Sequence, residues 1–201
     1  MNNSRDFILE KAFGQYLEHG YENVSISVLQ NSINLGRATI YYHFSNKESL
    51  FKEVVNEYIV KPIYSFLQKT DEANANIPEL INFYAEKNEQ IISLVKAVNP
   101  QLKITHYLSL MLHAYAHDKE FCRFIDNSKE RLFSLWLRAV QKSLQEGDLM
   151  EETDAERLAS LFCGLNEFSP WDKSTEECLA TNGSFIQNCQ HLYFLFRKQK
   201  N

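Results

Sequence analysis

The chain has 201 residues, 44% hydrophobic and 13% aromatic, enough to bury the core of one large domain or two small ones. Six glycines and four prolines are too few for a loop-rich all-β design and favour long helices. The net charge is −5, and residues 1–60 carry five basic against seven acidic side chains, which argues against a protein that wraps nucleic acid over its whole surface.

Phe7, Ile8, Ala12, Phe13, Tyr16 and Leu17 recur at helical spacing and predict a first helix over about 5–19, closed by Gly20. Ser25 is positioned to cap a second helix that carries Ile26, Leu29 and Ile33 on one face. Asn34 stands where the chain must turn sharply, and Leu35 plugs that turn. The third helix, about 37–43, is too short to stand alone, so Ile40 and Phe44 must anchor it to the first two. Ser45, Asn46, Lys47 and Glu48 fit a capping box led by the serine hydroxyl, from which Leu50, Val54 and Tyr58 continue a fourth helix that Pro62 bends or interrupts.

The polar stretch 70–80 is the best boundary candidate, with Pro78 at a helix start. Beyond it every apolar pattern is helical. Ile81, Tyr84, Asn88, Ile91 and Val95 form one stripe, and Pro100 opens a helix through Ile104, Tyr107, Leu108, Met111 and Tyr115. A long helix follows, apolar on two faces through Phe121, Ile125, Leu132, Leu135, Ala139 and through Phe133, Leu137, Val140, Leu144, and Gly147 ends it. Thr153 to Glu156 form a second capping box, the segment 170–183 is irregular, and Ser184 to Gln187 cap the last helix. The expected fold is all-α, with roughly nine helices and no sheet.

Four cysteines, Cys122, Cys163, Cys178 and Cys189, lie far apart without CxxC spacing and are read as small buried hydrophobes of a reducing compartment. The N-terminus reaches a charge too early for a signal peptide, and no run has transmembrane length, so the protein is expected in the cytoplasm, off the membrane. No GxSxG, P-loop, dinucleotide glycine pattern or HExxH occurs, and the chain is not read as an enzyme. His113 and His117, four apart, and His106, seven before His113, share a face whose spacing permits metal ligation. Without a matched Cys or Glu motif they are read as solvated or hydrogen-bonded, and neither metal nor cofactor is expected.

Residues 25–50 are the most informative. They have the form of a helix-turn-helix whose short second helix begins at Arg37 and displays Thr39, Tyr42 and His43, a shape suited to the major groove of DNA. No carboxylate lies between Arg37 and Lys47, so this strip is locally positive. Arginine can take guanine edge-on and a threonine methyl can meet thymine, while Tyr, His and Lys suit phosphate oxygens. Because Tyr41 and Tyr42 sit between two buried anchors, both cannot point inward.

Gly20-Tyr21, Ser25-Ile26 with Leu29, the run from Arg37 through Ala38, Thr39, Ile40, Tyr41, Tyr42 and His43 to Phe44, and Asn46-Lys47-Glu48-Ser49-Leu50-Phe51 together resemble the tetracycline-repressor (TetR) family of bacterial regulators. The resemblance covers about the first quarter of the chain, with Asn34, Gly36 and Gln30 where the family commonly has Gly, Ser and Ala. It implies a homodimer of two-domain chains: a helix-turn-helix DNA-binding domain over 1–50, and a helical effector-binding and dimerisation domain over 51–201. By position, Arg37, Ala38, Thr39, Tyr42 and His43 would face a near-palindromic operator. Lys47, Ser25 and Ser27 would meet phosphates, and Tyr41 would support the backbone grip.

The implied activity is a ligand-responsive repressor released from DNA by a small aromatic or lipophilic effector. An activator, or a helical interaction module that has lost operator binding, are the alternatives. Pocket candidates are Tyr84, His106, Tyr107, Met111, His113, Trp136, Phe162, Glu167 and Trp171, with Glu167 either facing a cation or lying at a wet helix end. The last two helices, about 154–168 and 184–198, are the expected dimer faces, through Ala155, Ala159 and Cys163 on one and Phe185, Cys189, Leu192 and Phe196 on the other.

Overall fold

The computed structural model describes residues 4–33, 35–165 and 183–198, with the side chains of 183 and 184 excepted. The expectations for Asn34, Glu167, Trp171, Cys178, the 170–183 segment and the Ser184 cap fall outside these residues. The helices are α1 (Ser4–His19), α2 (Ile26–Ile33), α3 (Arg37–His43), α5 (Ile77–Val98), α6 (Ile104–His117), α7 (Lys119–Gln145), α8 (Ala155–Leu165) and α9 (Gly183–Phe196). Between α3 and α5, Lys47–Val55 passes through a π-helical turn, Asn56–Val60, into Lys61–Ala73, and the three segments together are α4. Among the described residues there is no β-strand, only one antiparallel bridge between Leu149 and Arg197.

The chain divides into two compact units, residues 1–64 with 93–125 and residues 65–92 with 126–201, and the dividing points fall inside α4, α5 and α7. In the first unit α1 supplies the central stripe, Ile8, Leu9, Ala12, Phe13, Tyr16 and Leu17, all buried. Leu29 of α2, Ile40 of α3, Leu50 and Val54 of α4, and Leu110 and Ala114 of α6 are buried in the same unit. α1 ends where sequence expects, at Gly20, whose positive φ of 76° favours glycine and whose amide donates to the Tyr16 carbonyl at 2.9 Å.

Pro62 does not interrupt α4. It has no N–H to give the Tyr58 carbonyl four residues back, and the backbone widens immediately before it, the Lys61 amide donating to Asn56. The Tyr107 hydroxyl, from α6, donates to the Tyr58 carbonyl at 2.9 Å and meets the need that Pro62 creates. The Tyr58 ring stacks on Phe13 at 4.1 Å. Burial, with Glu10 and Glu57 nearby, pushes its phenol up to about 12.

Four boundaries differ from the sequence reading. The caps of α4 and α8 fall one residue later: Asn46 takes the Ser49 amide at 2.7 Å while Ser49 returns its hydroxyl, and Asp154 takes the Arg157 amide at 3.0 Å. The 70–80 linker shrinks to 74–76, because Thr70 is buried and bonds back to Phe66 and Leu67, and Asp71 pairs with Arg131 at 2.7 Å and with Arg138. Pro100 lies in a turn, and α6 begins at Ile104.

The second unit is centred on Leu80, Trp136, Ala139, Val140, Leu158, Phe162 and Cys189, all nearly or fully buried. The Ser143 hydroxyl, also buried, receives the Ile77 amide at 3.1 Å and so holds the start of α5. Backbone bonds from Met150 to Phe196 and from Lys198 to Asp148 fasten the end of α9 along the turn that follows α7.

Candidate nucleic-acid interface

α3 is held by its two inward anchors. Ile40 has no exposure and Phe44 almost none, with the Arg5 guanidinium 5.6 Å from the Phe44 ring centroid and ion-paired to Glu53 at 2.8 Å. With Ile40 inward on a seven-residue helix, the flanking side chains must turn out. Tyr42 is 84% exposed and Tyr41 42% exposed. Arg37 and Ala38 are exposed and Thr39 half-buried. The Arg37 guanidinium lies 5.5 Å from the Tyr41 ring centroid and donates to its hydroxyl at 3.5 Å, so the tyrosine holds the arginine in place.

His43 is half-buried, its Nε2 2.7 Å from the Ser4 hydroxyl and its ring edge-on to Tyr42. Ser25 is exposed but already accepts the Val28 amide at 3.2 Å, which caps α2, and Ser27 is exposed. Lys47 extends its ammonium over the Tyr21 ring, 4.0 Å from the centroid, and donates to the Glu22 carbonyl at 3.5 Å. Among the described residues no carboxylate pairs with it.

Tyr21, which sequence reasoning placed only in the motif, is the hub of this edge. Its ring meets Phe51 at 4.5 Å, His113 at 4.5 Å and Tyr16 at 5.8 Å, besides the Lys47 ammonium. An aromatic directly after a glycine that ends a helix was the available signal, since it must fold back over the helix end. Burial, then Glu48 and Glu22, raise the Tyr21 phenol.

Comparison with known proteins agrees with this geometry. Residues 8–54 match the model of bacterial regulatory proteins of the tetR family. The biofilm operon icaADBC HTH-type negative transcriptional regulator IcaR of Staphylococcus epidermidis is 26% identical over 133 residues, 61% of this chain and 69% of that protein. The HTH-type transcriptional repressor ComR of Escherichia coli is 40% identical over 55 residues, 27% of this chain and 26% of its own length. The ketosteroid regulator KstR2 of Mycobacterium tuberculosis superposes with a TM-score of 0.62 at 16% identity, over 99% of this chain and 97% of that one. The SmeT–triclosan complex gives 0.63 at 16% identity, over 98% and 92%; SmeT comes from Stenotrophomonas maltophilia. Residues 8–54 are a DNA-binding head of the tetR family.

The chain is therefore a DNA-binding transcriptional regulator. The pocket candidates among the described residues fall in both compact units. His106, Tyr107, Met111 and His113 belong to the first compact unit, and Tyr84, Trp136 and Phe162 to the second. His106 Nδ1 receives the Lys103 amide of its own helix start at 3.1 Å, and Tyr107 is committed to the Tyr58 carbonyl. Met111 is half-buried. The His113 ring lies among Tyr21, Phe51 and His117, the last at 4.5 Å. Burial, His117 and Lys47 lower its basicity, outweighing Glu22. Among the described residues no group of three or more His, Cys, Asp or Glu could hold a metal ion. No helix there is long and apolar enough to cross a membrane.

Of the side chains expected in a dimer seam, Ala159 and Cys189 are wholly buried within the chain, while Ala155, Cys163, Phe185, Leu192 and Phe196 are half-buried. The outward face of the same two helices carries Leu161 at 45% exposure, Phe194 at 69% and Leu195 at 62%. Burial pushes the Cys163 thiol up to about 11 and the Cys189 thiol up to about 12, so neither is a thiolate at neutral pH.

Proposed function

We propose that this regulator is a repressor that binds a near-palindromic operator as a homodimer and leaves it when a small aromatic or lipophilic effector occupies the helical part of the chain. Residues 1–50 would act as the reading domain and 51–201 as the effector and dimerisation domain. The observation that carries the reading is the outward face of α3. Arg37, Ala38, Tyr41 and Tyr42 stand exposed on a helix fixed by Ile40 and Phe44, a helix end offered to a groove.

In this reading Arg37, Ala38, Thr39 and Tyr42 contact bases, with His43 beside them. Tyr41, Lys47, Ser25 and Ser27 hold phosphates. Phe194, Leu195 and Leu161 form the centre of the dimer seam, flanked by Ala155, Cys163, Leu192 and Phe196, because large exposed apolar side chains on adjacent helices call for a partner. The names of the relatives favour repression: IcaR is a negative regulator and ComR a repressor. That SmeT was solved with triclosan favours an aromatic effector.

Selection of bound fragments from a genomic or random DNA library tests the proposal. The expected product is a two-fold symmetric site whose half-sites lie about one DNA turn apart, ~34 Å, or a multiple of it. Recovery of unrelated sequences with no shared half-site would overturn it.

A further inference from the structure

We infer that the aromatic core of the second compact unit is the seat of an organic anion, a ligand joining an aromatic or extended apolar body to one carboxylate that meets the Lys87 ammonium. This rests on the effector-responsive reading above and narrows the chemistry of its ligand.

The unit contains a continuous stack of rings. Tyr84 lies parallel to Trp136 at 5.5 Å, and Trp136 parallel to Phe162 at 4.4 Å. Phe66 meets Tyr84 at 4.8 Å. Lys87 follows Tyr84 by three positions on α5, so both project from one face. Its ammonium lies 4.8 Å from the Phe66 centroid and 5.7 Å from that of Tyr84.

Among the described residues no carboxylate and no hydrogen-bond acceptor reaches Lys87. Three other basic side chains of the unit are paired: Lys69 with Glu86 at 2.8 Å, Lys142 with Glu79 at 3.2 Å, and Arg131 with Asp71. The missing counter-charge is local to the ring cluster. A second donor there is also unmet, since Trp136 has no exposure and its Nε1 finds no acceptor.

Ring faces attract a cation, but weakly against the cost of taking it from water. Lys87 is half-buried, and that burial lowers the proton affinity of its ammonium to about 8. An ammonium held against ring faces without a counter-charge calls for the acceptor oxygens of a single negative charge. The surrounding rings call for an apolar body, and a dianion would need a second cation. Lys69, Lys142 and Arg131 nearby in the unit already have carboxylates, so an added anion gains most at Lys87.

The test uses the full-length protein with two matched pairs of probes, naphthoate with naphthamide and decanoate with decanamide, followed by titration calorimetry and quenching of indole fluorescence. At least one acid should bind about ten-fold or more tightly than its neutral amide. Lys87→Met should erase that preference and Lys87→Arg should keep it. Without ligand, Lys87→Met should melt no lower than wild type, because it removes a charge without a partner; a purely structural lysine would lower it. Near pH 8 binding of the acid should take up protons, seen as a dependence of the heat on the buffer. Equal binding of acid and amide, or a preference that survives Lys87→Met, overturns the inference. If an amide binds equally well and releases operator DNA, effector control stands and only the anion falls. If no probe binds, the anion inference is refuted while operator recognition is judged separately by the DNA selection.

Discussion

Replacing Lys47 by methionine separates charge from shape at the DNA-facing edge. The Lys47 ammonium sits on the Tyr21 ring at 4.0 Å and bonds only a carbonyl, so its charge remains available to a phosphate. The stem of methionine can still cover the ring, and loss of the cation–π contact at a half-exposed site costs less than about 1 kcal/mol of stability. Each phosphate neutralised on duplex DNA contributes about 0.9 to the slope of log K against log salt, so two heads of a dimer lose about 1.8. Between about 50 mM and 200 mM salt, a four-fold range, the advantage of wild type over the variant should therefore shrink about 12-fold. Anisotropy of a labelled operator, titrated at several salt concentrations, measures both lines. Tyr42→Phe is the uncharged control and should run parallel to wild type. If Lys47→Met also ran parallel, Lys47 would not meet a phosphate and the orientation assigned to the head would be wrong.

Tyr42→Ala should weaken operator binding and leave the melting temperature within experimental scatter, since the side chain is 84% exposed and supports nothing. Tyr107→Phe should lower stability in urea by about 1–3 kcal/mol, because the Tyr58 carbonyl loses its donor; in a Pro62→Ala background, where an amide returns to that carbonyl, the loss should be smaller. His113 binds its proton less readily folded than unfolded. Above its ordinary value of 6.5 it is neutral in both states, and as pH falls below that value the unfolded chain takes the proton first. Stability should therefore decline from about pH 7 toward about pH 5, and His113→Gln should flatten that part of the urea-midpoint profile. Phe194→Glu with Leu195→Glu should leave the helices intact by circular dichroism and halve the mass seen in sedimentation; an unchanged mass would place the seam elsewhere.

The reading head was legible because its information is local. A glycine at a helix end, apolar residues three and four apart, and a short helix between two anchors are all fixed within a few residues of each other. The capping errors are local too. Ser45 precedes Asn46 and Thr153 precedes Asp154, and each Asx side chain takes the amide three residues ahead. The linker error came from composition: Asp71 reads as loop until Arg131 and Arg138, sixty and more residues away, supply the charges that keep the segment helical. The pocket and the seam depend on such distances throughout. Periodicity marks Tyr84, Trp136 and Phe162 as apolar, yet nothing in their spacing says that their rings stack, or that His113 belongs beside Tyr21. In the last helix it also marks two apolar faces without saying which lies inward. Cys189 turned out to be the buried side, and Phe194 with Leu195 the open one.

The acidic balance of the chain bears on how such a head finds DNA. A net charge of −5 repels a polyanion at a distance, so the approach gains little from long-range attraction. Attraction must come within about 10 Å, the screening length at moderate salt, where the proposed orientation would bring the strip from Arg37 to Lys47 against the duplex. That strip contains two permanent positive charges and no carboxylate, and Tyr21 and Tyr41 hold the two charges in place by their rings. Few cations mean a shallow salt slope and weak binding to arbitrary sequence. On the proposed reading, discrimination would then fall to the exposed edges of Tyr42, Ala38 and Arg37, where a wrong base pair would cost about 1–3 kcal/mol. In the proposed homodimer, a head built this way would hold DNA firmly only when both copies find their half-sites, and a shift that displaced one of them would be enough to let go.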